Sequence, residues 1–345
     1  MKTYSRRDFL KLGGLAFAGL AFTSFLPEFT QFEDMDLVRV AKDPVSVYQK
    51  ASDKSAIVHT WVRDNLVHVY ESIQVPTNGN TSLWYRVFGG YMNAGRLQQV
   101  RVQYNVPLSN LPTPKVLSEV TVPYTQPYIY NKLNGWSVHP TYYHLYYSCT
   151  QWITSIETGP DGKAWYKVQD EADKNSYYYV PTEHLRPIFP NEYTPLSANV
   201  PIGQKRIEVD LTRQALTCYE SDKIVFATQV STGQGALLAT PVGEHNIMVK
   251  LPSRNMSTTS PLADDIIPLV GVPWTSFFTA KGHAFHGTYW HNNFGYTMSH
   301  GCVNMRNADA LWLFRWCQPT ADFEHIRLAT LDNVPGYGTA VNIHY

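Results

Sequence analysis

Hydrophobic and polar residues alternate over short stretches along most of the chain, and this period of two predicts β-strands. The alternation is clear at residues 37–40 and 45–48, and it is longest at residues 206–211. Turn-forming residues separate the stretches, as in proteins built of short strands. One clear helix is predicted to begin at Asn307, as its N-cap, and to end before Pro319. The pattern predicts a mainly β protein with one or two short helices.

The region from residue 36 to residue 188 contains the same pattern twice. Trp-Tyr-Arg-Val at residues 84–87 recurs as Trp-Tyr-Lys-Val at residues 165–168, and a tyrosine and then a leucine follow each copy. Such self-similarity indicates repeated modules, and short strands between turns favour small barrels. The pattern resembles bacterial SH3-like wall-targeting modules. The resemblance implies a first module at residues 36–105 and a second module at residues 115–189.

The second module carries a tyrosine-rich insertion, and two interpretations of it are open. The tyrosines form either a stacking face for sugar or peptide, or a cross-strand aromatic ladder that stabilises a sheet. They are Tyr142, Tyr143, Tyr146 and Tyr147. Cys149, in the same stretch, is predicted to be a small buried side chain.

Residues 190–204 contain three prolines without periodicity and are predicted to form a linker. Residues 205–345 then resume as strands, with a hairpin predicted between residues 215–219 and 224–231. Residues 252–274, rich in Ser, Thr and Pro, are a candidate substrate lid. In the predicted helix, the side chains expected to pack inward are Leu311, Trp312, Leu313 and Phe314, and Cys317 is expected in the core.

Composition excludes several classes of function. The chain has 345 residues, with 28 Lys and Arg against 28 Asp and Glu, so its formal net charge is zero. Proteins that bind nucleic acid usually carry a basic excess, so we expect no nucleic-acid partner. The 4 cysteines are too few and too scattered for a disulfide scaffold. Because no Cys-x-x-Cys pair occurs, a thiolate zinc site is not expected either.

The N-terminus resembles a twin-arginine export signal. Ser-Arg-Arg-Asp-Phe-Leu-Lys at residues 5–11 precedes an apolar run at residues 12–26. This run is shorter than the ~20 residues that span a bilayer, and a buried helix is the alternative interpretation. The resemblance implies a signal or anchor segment at residues 1–30, and contact with a membrane only through it. The expected location is the cell envelope, with the protein secreted or, if cleavage fails, anchored.

Residues 282–306 hold the candidate chemistry. His286 and Gly287 precede a second motif, Ser-His-Gly-Cys at residues 299–302. A cysteine near histidines is a nucleophile-and-base pattern. A free cysteine is only a few per cent thiolate at pH 7, so it needs a base and donors for the developing oxyanion. The glycine before Cys302 permits the sharp turn that aims main-chain N–H groups at a carbonyl.

This motif closely resembles the signature of the L,D-transpeptidase (YkuD-type) catalytic domain. The likeness begins near residue 207 with Val-Asp-Leu, and continues through Val-Ser-Thr-Gly and Thr-Pro-Val-Gly. It implies a catalytic domain at residues 205–345 whose cysteine attacks a carbonyl in a peptidoglycan stem peptide. A thioester forms, and an amine of a neighbouring stem resolves it to a cross-link. No cofactor is needed, since a thiol, a base and main-chain donors suffice for acyl transfer.

The resemblance assigns roles to individual residues. Cys302 is the expected nucleophile, and His286 the expected proton donor and acceptor, oriented by the carbonyl of Gly287. His300 and Gly301 are expected to shape the oxyanion loop. The residues expected to contact substrate or to hold the loop are Ser299, Asn304, Arg306 and Thr288.

Three alternatives stay open at this point. The same nucleophile gives an L,D-carboxypeptidase if water resolves the thioester. The second is a non-catalytic wall-binding protein whose catalytic domain is a relic, with the modules as the contact to wall polymer. A zinc site is the third, since histidine and cysteine are zinc ligands, although strand alternation sends His283 and His286 to opposite faces. The zinc-ligand types in this stretch are His283, His286, His291, His300 and Cys302.

Overall fold

The computed structural model describes residues 37–345, except residues 43, 78, 79, 143, 172, 257–267 and 320–337. The predicted signal segment at residues 1–30 lies outside this part of the chain, as does Tyr143. Within it, short strands dominate and one α-helix is present. The prediction of a mainly β protein is confirmed. No helix in the described ranges is long and apolar enough to cross a membrane.

The first module forms two small sheets around its own core. Their strand orders are β4-β1-β8 and β3-β2-β7-β6-β5. Alternation of buried and exposed side chains directs Val38, Val47, Met92 and Leu97 inward. The strands are β1 Leu37–Val40, β2 Val45–Tyr48, β3 Ile57–Trp61, β4 Leu66–His68, β5 Glu71–Thr77, β6 Asn80–Val87, β7 Gly90–Asn93 and β8 Leu97–Val100.

The second module is a seven-stranded sheet with a two-stranded sheet beside it. The strand orders are β12-β11-β16-β15-β14-β9-β17 and β10-β13. The strands are β9 Val116–Val120, β10 Tyr124–Thr125, β11 Tyr128–Asn131, β12 Gly135–Val138, β13 Leu145–Tyr146, β14 Thr150–Thr158, β15 Ala164–Gln169, β16 Tyr177–Pro181 and β17 Leu185–Ile188. Cys149 is fully buried, as predicted.

The two modules share a local pattern that matches the repeat in the sequence. The two Trp-Tyr motifs lie on strands, β6 and β15. Each module also ends with one 3₁₀ turn, Ala94–Arg96 or Thr182–His184, followed by a final strand. The SH3-like identity of these modules stays a prediction.

The described tyrosines of the insertion make contacts within the fold. Tyr146 pairs with Tyr124 across β13 and β10, and the guanidinium of Arg39 lies 3.9 Å from the centre of its ring. The Tyr142 hydroxyl donates a hydrogen bond to Asp170 at 2.6 Å. Tyr146 thus forms one cross-strand aromatic pair, whereas Tyr142 lies outside the strands. The stacking face for sugar or peptide stays a prediction.

The C-terminal domain, residues 205–345, contains two sheets and the helix. The strand orders are β20-β19-β18-β26-β21 and β22-β23-β24-β25. The elements are β18 Lys205–Asp210, β19 Ala215–Glu220, β20 Lys223–Gln229, β21 Gly243–Asn246, β22 Val249–Met256, β23 Leu269–Phe277, β24 Ala284–Gly287, β25 Val303–Met305, α1 Asn307–Trp316 and β26 Ala340–His344. The predicted β19–β20 hairpin is confirmed.

Helix α1 closes the core of this domain. Its N-cap is Arg306, whose backbone is extended, so the predicted cap at Asn307 was wrong by one residue. Leu313 and Phe314 are buried as predicted, whereas Leu311 and Trp312 are half-buried. At the other end, the buried Lys250 ammonium donates to the carbonyls of Phe314 and Cys317, both at 2.6 Å. A cation there satisfies carbonyls that a helix end leaves free.

Strands β22 and β23 form a long antiparallel hairpin that packs on the second module. Residues 252–256 and 269–274 of the candidate lid belong to these strands. Residues 257–267, between them, lie outside the described residues. The lid stays a prediction. Short 3₁₀ turns at Pro190–Tyr193 and Ile202–Gln204 occupy the predicted linker.

Candidate functional site

The two predicted motifs meet because β24 and β25 are neighbouring parallel strands. His286 pairs with Asn304, and Phe285 pairs with Val303. Paired residues in a parallel ladder project from the same face, and residues two apart along a strand share a face. Cys302, just before β25, packs against the cluster that contains Ala284, and Ala284 shares a face of β24 with His286. The fold brings the predicted nucleophile and base to one face of one sheet.

Cys302 is half-buried, whereas the other three cysteines are fully buried, and all four are free. Its thiol donates a long hydrogen bond of 3.8 Å to the carbonyl of Gly282. Burial raises the pKa of the Cys302 thiol to about 11, although a hydrogen bond from the Ala284 N–H acts in the opposite direction. The resting Cys302 side chain is therefore a neutral thiol, and an attack by its sulfur would need a base.

His286 is held as a neutral imidazole. It is buried in β24, and its Nδ1 donates to the carbonyl of Gly287 at 3.0 Å. A neutral imidazole has one protonated nitrogen, so this bond leaves Nε2 free to accept a proton. Burial lowers the pKa of His286 to about 4, and the Gly287 hydrogen bond offsets part of that effect.

Gly287 is required by its surroundings as well as by its carbonyl. A Cβ at this position would lie 2.3 Å from Oδ1 of Asn307 and 2.8 Å from Pro273. The strand therefore packs directly against the start of helix α1, and a larger residue there would displace His286.

Gly301 and Ser299 form the turn that presents Cys302. Gly301 has a φ of +116°, a conformation that favours glycine, and a Cβ there would lie 2.8 Å from the His283 ring. The Ser299 hydroxyl accepts from the Gly301 N–H at 3.1 Å and donates to the carbonyl of Cys302. Ser299 thus braces the turn from inside.

Asn304 belongs to a buried polar pair with His291. One amide position of Asn304 lies 2.8 Å from Nε2 of His291, and the Asn293 N–H donates to His291 Nδ1 at 3.2 Å. Because Nδ1 accepts, Nε2 carries the proton, and the Asn304 amide oxygen belongs at the position facing it. Burial, and then the nearby His286, lower the pKa of His291 to about 3.

The remaining predicted residues lie at different distances from this centre. His300 is exposed beside the turn. The Arg306 guanidinium caps β20 through a 3.4 Å hydrogen bond to the Gln229 carbonyl, and it packs over the Phe294 ring at 4.6 Å. Thr288 is buried, and its hydroxyl has no hydrogen-bond partner among the described residues.

Residues 204–343 match the model of the YkuD family, the L,D-transpeptidase catalytic domain. The match covers most of the domain expected at residues 205–345 and less than half of the chain. No curated protein sequence matches the chain.

The chain is similar to several solved structures. An L,D-transpeptidase from Stackebrandtia nassauensis is 23% identical, with a TM-score of 0.30, over 46% of this chain and 60% of that chain, so less than two thirds of that protein is spanned. The catalytic domain of the E. faecium L,D-transpeptidase is 23% identical over 41% of this chain and 96% of that chain, with a TM-score of 0.30. An L,D-transpeptidase from Mycobacterium smegmatis is 15% identical over 55% of this chain and 76% of that chain, with a TM-score of 0.33.

Within the YkuD-type domain, the structure shows contacts of two histidines, His283 and His291, that the sequence singled out only as zinc-ligand types. Nothing in the sequence linked His291 to Asn304. His283 packs on Gly301 and is hydrogen-bonded to Thr279 at 2.8 Å. Among the residues that the structure describes, no group of three His, Cys, Asp or Glu side chains is arranged to hold a metal ion.

Proposed function

We propose that the YkuD-type domain is a cysteine acyltransferase that cross-links peptidoglycan stem peptides. The observation that carries the proposal is the hydrogen bond of 3.0 Å from His286 Nδ1 to the Gly287 carbonyl, on the strand beside the one that follows Cys302. It fixes the tautomer that a general base needs, on the face from which the thiol projects.

The reaction begins from a neutral pair. The Cys302 thiol transfers its proton to His286 Nε2 as its sulfur attacks the carbonyl next to a D-residue. The carbonyl oxygen becomes an oxyanion, and one main-chain donor for it is worth about 2.7–4 kcal/mol in other enzymes. Since the Gly301 N–H is bound to Ser299, the N–H groups of His300 and Cys302 are the donors we assign.

The tetrahedral intermediate then breaks down in the forward direction. The carbon–nitrogen bond to the D-residue breaks, the leaving amine takes the proton from the His286 imidazolium, and a thioester to Cys302 remains. An amine of a second stem attacks the thioester and gives its proton to His286. The carbon–sulfur bond breaks, the Cys302 sulfur takes that proton from the His286 imidazolium, and the new amide is the cross-link. If water attacks instead, the product is a trimmed stem.

The predicted substrate contacts differ in how the structure supports them. The Thr288 hydroxyl is buried and has no hydrogen-bond partner among the described residues, so it could bind a substrate amide only after the neighbouring side chains move. The side chain of Asn304 is hydrogen-bonded to His291, and that of Ser299 is hydrogen-bonded to the Cys302 turn. We therefore assign both residues to holding the loop. Arg306 has one face on Phe294, and its Nη1 lies 3.7 Å from the Asp309 carboxylate, so a stem carboxylate would have to share that ion pair or replace it.

The proposed setting is the cell envelope. We propose export by the twin-arginine route through residues 5–11, with attachment to the membrane, if any, through the N-terminal segment. The stem peptide is the proposed partner, and wall polymer is the proposed ligand of the two modules. Neither cofactor nor nucleic acid has a role in this mechanism.

A mass measurement tests the proposal. The purified protein is incubated with imipenem and weighed intact, beside Cys302→Ala and Cys317→Ala. We expect one covalent adduct on the wild type and on Cys317→Ala, and none on Cys302→Ala. An unmodified wild-type protein would favour the non-catalytic wall-binding alternative.

Product analysis then separates the two reactions. A stem tetrapeptide is supplied with and without an acceptor amine, and the products are identified by mass. A cross-linked dimer that needs the acceptor supports the transpeptidase. Release of the terminal D-residue alone, in both mixtures, would identify a carboxypeptidase.

A further inference from the structure

The loop that joins the base to the nucleophile, residues 288–296, is held from outside the YkuD-type domain. Its first contact is the Tyr289 carbonyl, which accepts a hydrogen bond from Arg39 Nη2 at 3.1 Å. Arg39 lies on β1 of the first module, 250 residues earlier in the chain. Tyr289 also packs against Tyr146 of the second module, with ring centres 5.9 Å apart.

Arg39 is fixed in one orientation. Its side chain is 1% exposed, and Nη1 pairs with Asp64 at 2.8 Å. Gln98 accepts from Nε and Nη2 at 3.0 and 2.8 Å, and the Tyr146 ring lies beneath the guanidinium. A buried guanidinium is costly unless its N–H groups are satisfied, and a planar fork satisfies several partners at once. The bond to Tyr289 is therefore part of a fully organised cluster.

Two further contacts join the first module to the same loop. The buried Tyr85 hydroxyl accepts from the Asn292 side-chain amide at 3.0 Å. The side chain of Asn293 packs on the 3₁₀ turn at Gly95, where a Cβ would lie 3.2 Å from Cγ of Asn293. Consecutive loop residues thus rest on the first module.

The other side of the loop is bound to the YkuD-type domain itself. The Ser231 hydroxyl donates to the Asn293 carbonyl at 2.8 Å, and the Gly295 N–H donates to the Val230 carbonyl at 2.9 Å. The loop is clamped between the domain and the first module. It begins two residues after His286 and ends three residues before Ser299, so its path links the positions of the base and the turn.

We propose that the first module is a built-in part of the active site, and that Arg39 and Tyr85 are positioning residues for the His286–Cys302 pair. A module that served only to bind wall polymer or to space the enzyme would not need buried hydrogen bonds to this loop. The proposal rests on the proposed function for its kinetic readout, but its structural readout does not.

The test uses the full chain and matched variants. Tyr85→Phe removes one hydroxyl, and Tyr70→Phe removes a hydroxyl from a tyrosine of the same module that is 60% exposed. Arg39→Lys keeps the positive charge but removes the planar guanidinium. Arg86→Lys makes the same change at an exposed arginine of the same module and is the control. Imipenem acylation is followed over a range of concentrations to separate the first-order rate constant from the apparent binding constant. Amide hydrogen exchange of residues 288–296 is measured in the absence of imipenem.

We expect Tyr85→Phe to slow the first-order acylation step about threefold to tenfold, the effect of one lost hydrogen bond, with unchanged apparent binding. Arg39→Lys should slow it further, and both variants should exchange the loop amides faster than the wild type. Tyr70→Phe and Arg86→Lys should match the wild type. Tyr85→Phe keeps the test valid if Arg39→Lys fails to fold.

The proposal would be overturned if Tyr85→Phe and Arg39→Lys were both acylated at the wild-type rate and both exchanged their loop amides at the wild-type rate. If imipenem leaves the wild type unmodified, the proposed function fails, and hydrogen exchange alone decides whether the first module holds the loop.

Discussion

The two modules differ in how they meet the YkuD-type domain. The second module shares a hydrophobic core with it, in which Val270 and Val272 of β23 pack beside Val168 and Leu185. The first module has a core of its own and reaches the domain through polar side chains, among them Arg39 and Tyr85. The second module therefore contacts the domain through buried apolar side chains, and the first module contacts it through hydrogen bonds.

This difference separates stability from geometry. Burial of apolar surface stabilises in proportion to area, whereas a hydrogen bond adds only ~0.5–1.5 kcal/mol net and mainly fixes orientation. Damage to the second module's contact should therefore unfold the protein. Substitutions that break the first module's contact should leave the protein folded but lower its rate of acylation.

The largest effect is expected at Gly271, where β23 touches the second module. Its φ is +64°, and a Cβ there would lie 2.2 Å from the Thr150 carbonyl oxygen. We expect Gly271→Ala to lower the free energy of unfolding by about 4 kcal/mol, since the backbone must move. Chemical denaturation measures it.

The control for this substitution is Gly162→Ala. Gly162 also has a positive φ, +77°, but a Cβ there meets nothing within 4 Å. Gly162→Ala should lower the free energy of unfolding by about 1 kcal/mol, which is the penalty for placing alanine in a left-handed backbone conformation. Equal losses at the two positions would contradict the close contact between β23 and the second module.

A smaller effect is expected on acidification, through the loop that both modules contact. The pKa of His291 is about 3, against about 6.5 for an unfolded histidine. The unfolded chain thus binds a proton as the pH falls below about 6.5 and the folded chain does not, so stability present above that pH is lost toward pH 3. Between pH 7 and pH 4.5, His291 should contribute about 2–3 kcal/mol of this loss.

This contribution is tested by measuring the free energy of unfolding of the wild type and of His291→Gln at the two pH values. The variant should lose about 2–3 kcal/mol less than the wild type on acidification, while His286 continues to contribute in both. An identical loss in the two proteins would show that His291 is not held neutral in the fold.

Thr150→Val should have an effect of about 1–2 kcal/mol, because it leaves the buried Pro252 carbonyl without its donor. The hydroxyl of Thr150 donates to that carbonyl at 2.8 Å, between the second module and β22. Thr154→Val, which removes a hydrogen bond inside the second module at a half-buried position, should cost less. The two midpoints of denaturation are compared directly, and the reverse order would count against the shared interface.

The smallest effect is expected at Arg86 of the first module. Its ion pair with Glu71 is exposed, with the two charged atoms 3.8 Å apart. Exposed pairs contribute little, so Arg86→Gln should change stability by less than about 0.5 kcal/mol and leave acylation unchanged. A slower acylation would mean that the first module acts on the site through more than its buried contacts.

Local patterns in the sequence predicted much of the fold. Alternation located strands such as β1 and β18, and the hairpin of β19 and β20, because side-chain period depends only on neighbours in sequence. The adjacency of the two candidate motifs was predicted from the resemblance. The parallel pairing of β24 with β25 is a long-range contact that no local pattern encodes.

The residues around the site were harder to predict for the same reason. Arg39 reads in the sequence as one polar position in an alternating strand, and an exposed charge is the usual outcome there. Its burial depends on Asp64, Gln98 and Tyr146, which lie far apart in the chain. His291 is similar, since its partner Asn304 lies 13 residues further along the chain, beyond the turn at residues 299–302.

The central claim is that a neutral His286 takes the proton from a neutral Cys302 thiol as the sulfur attacks. The pH dependence of imipenem acylation, measured by single-turnover mass spectrometry on the wild type and His286→Gln, tests it most directly. Because the pKa of His286 is about 4 and that of Cys302 is about 11, the wild-type rate should be nearly flat from pH 5.5 to pH 9 and fall only toward pH 4, and His286→Gln should be slower throughout. A wild-type rate that rises tenfold per pH unit through this range, or equal rates in the two proteins, would contradict the claim.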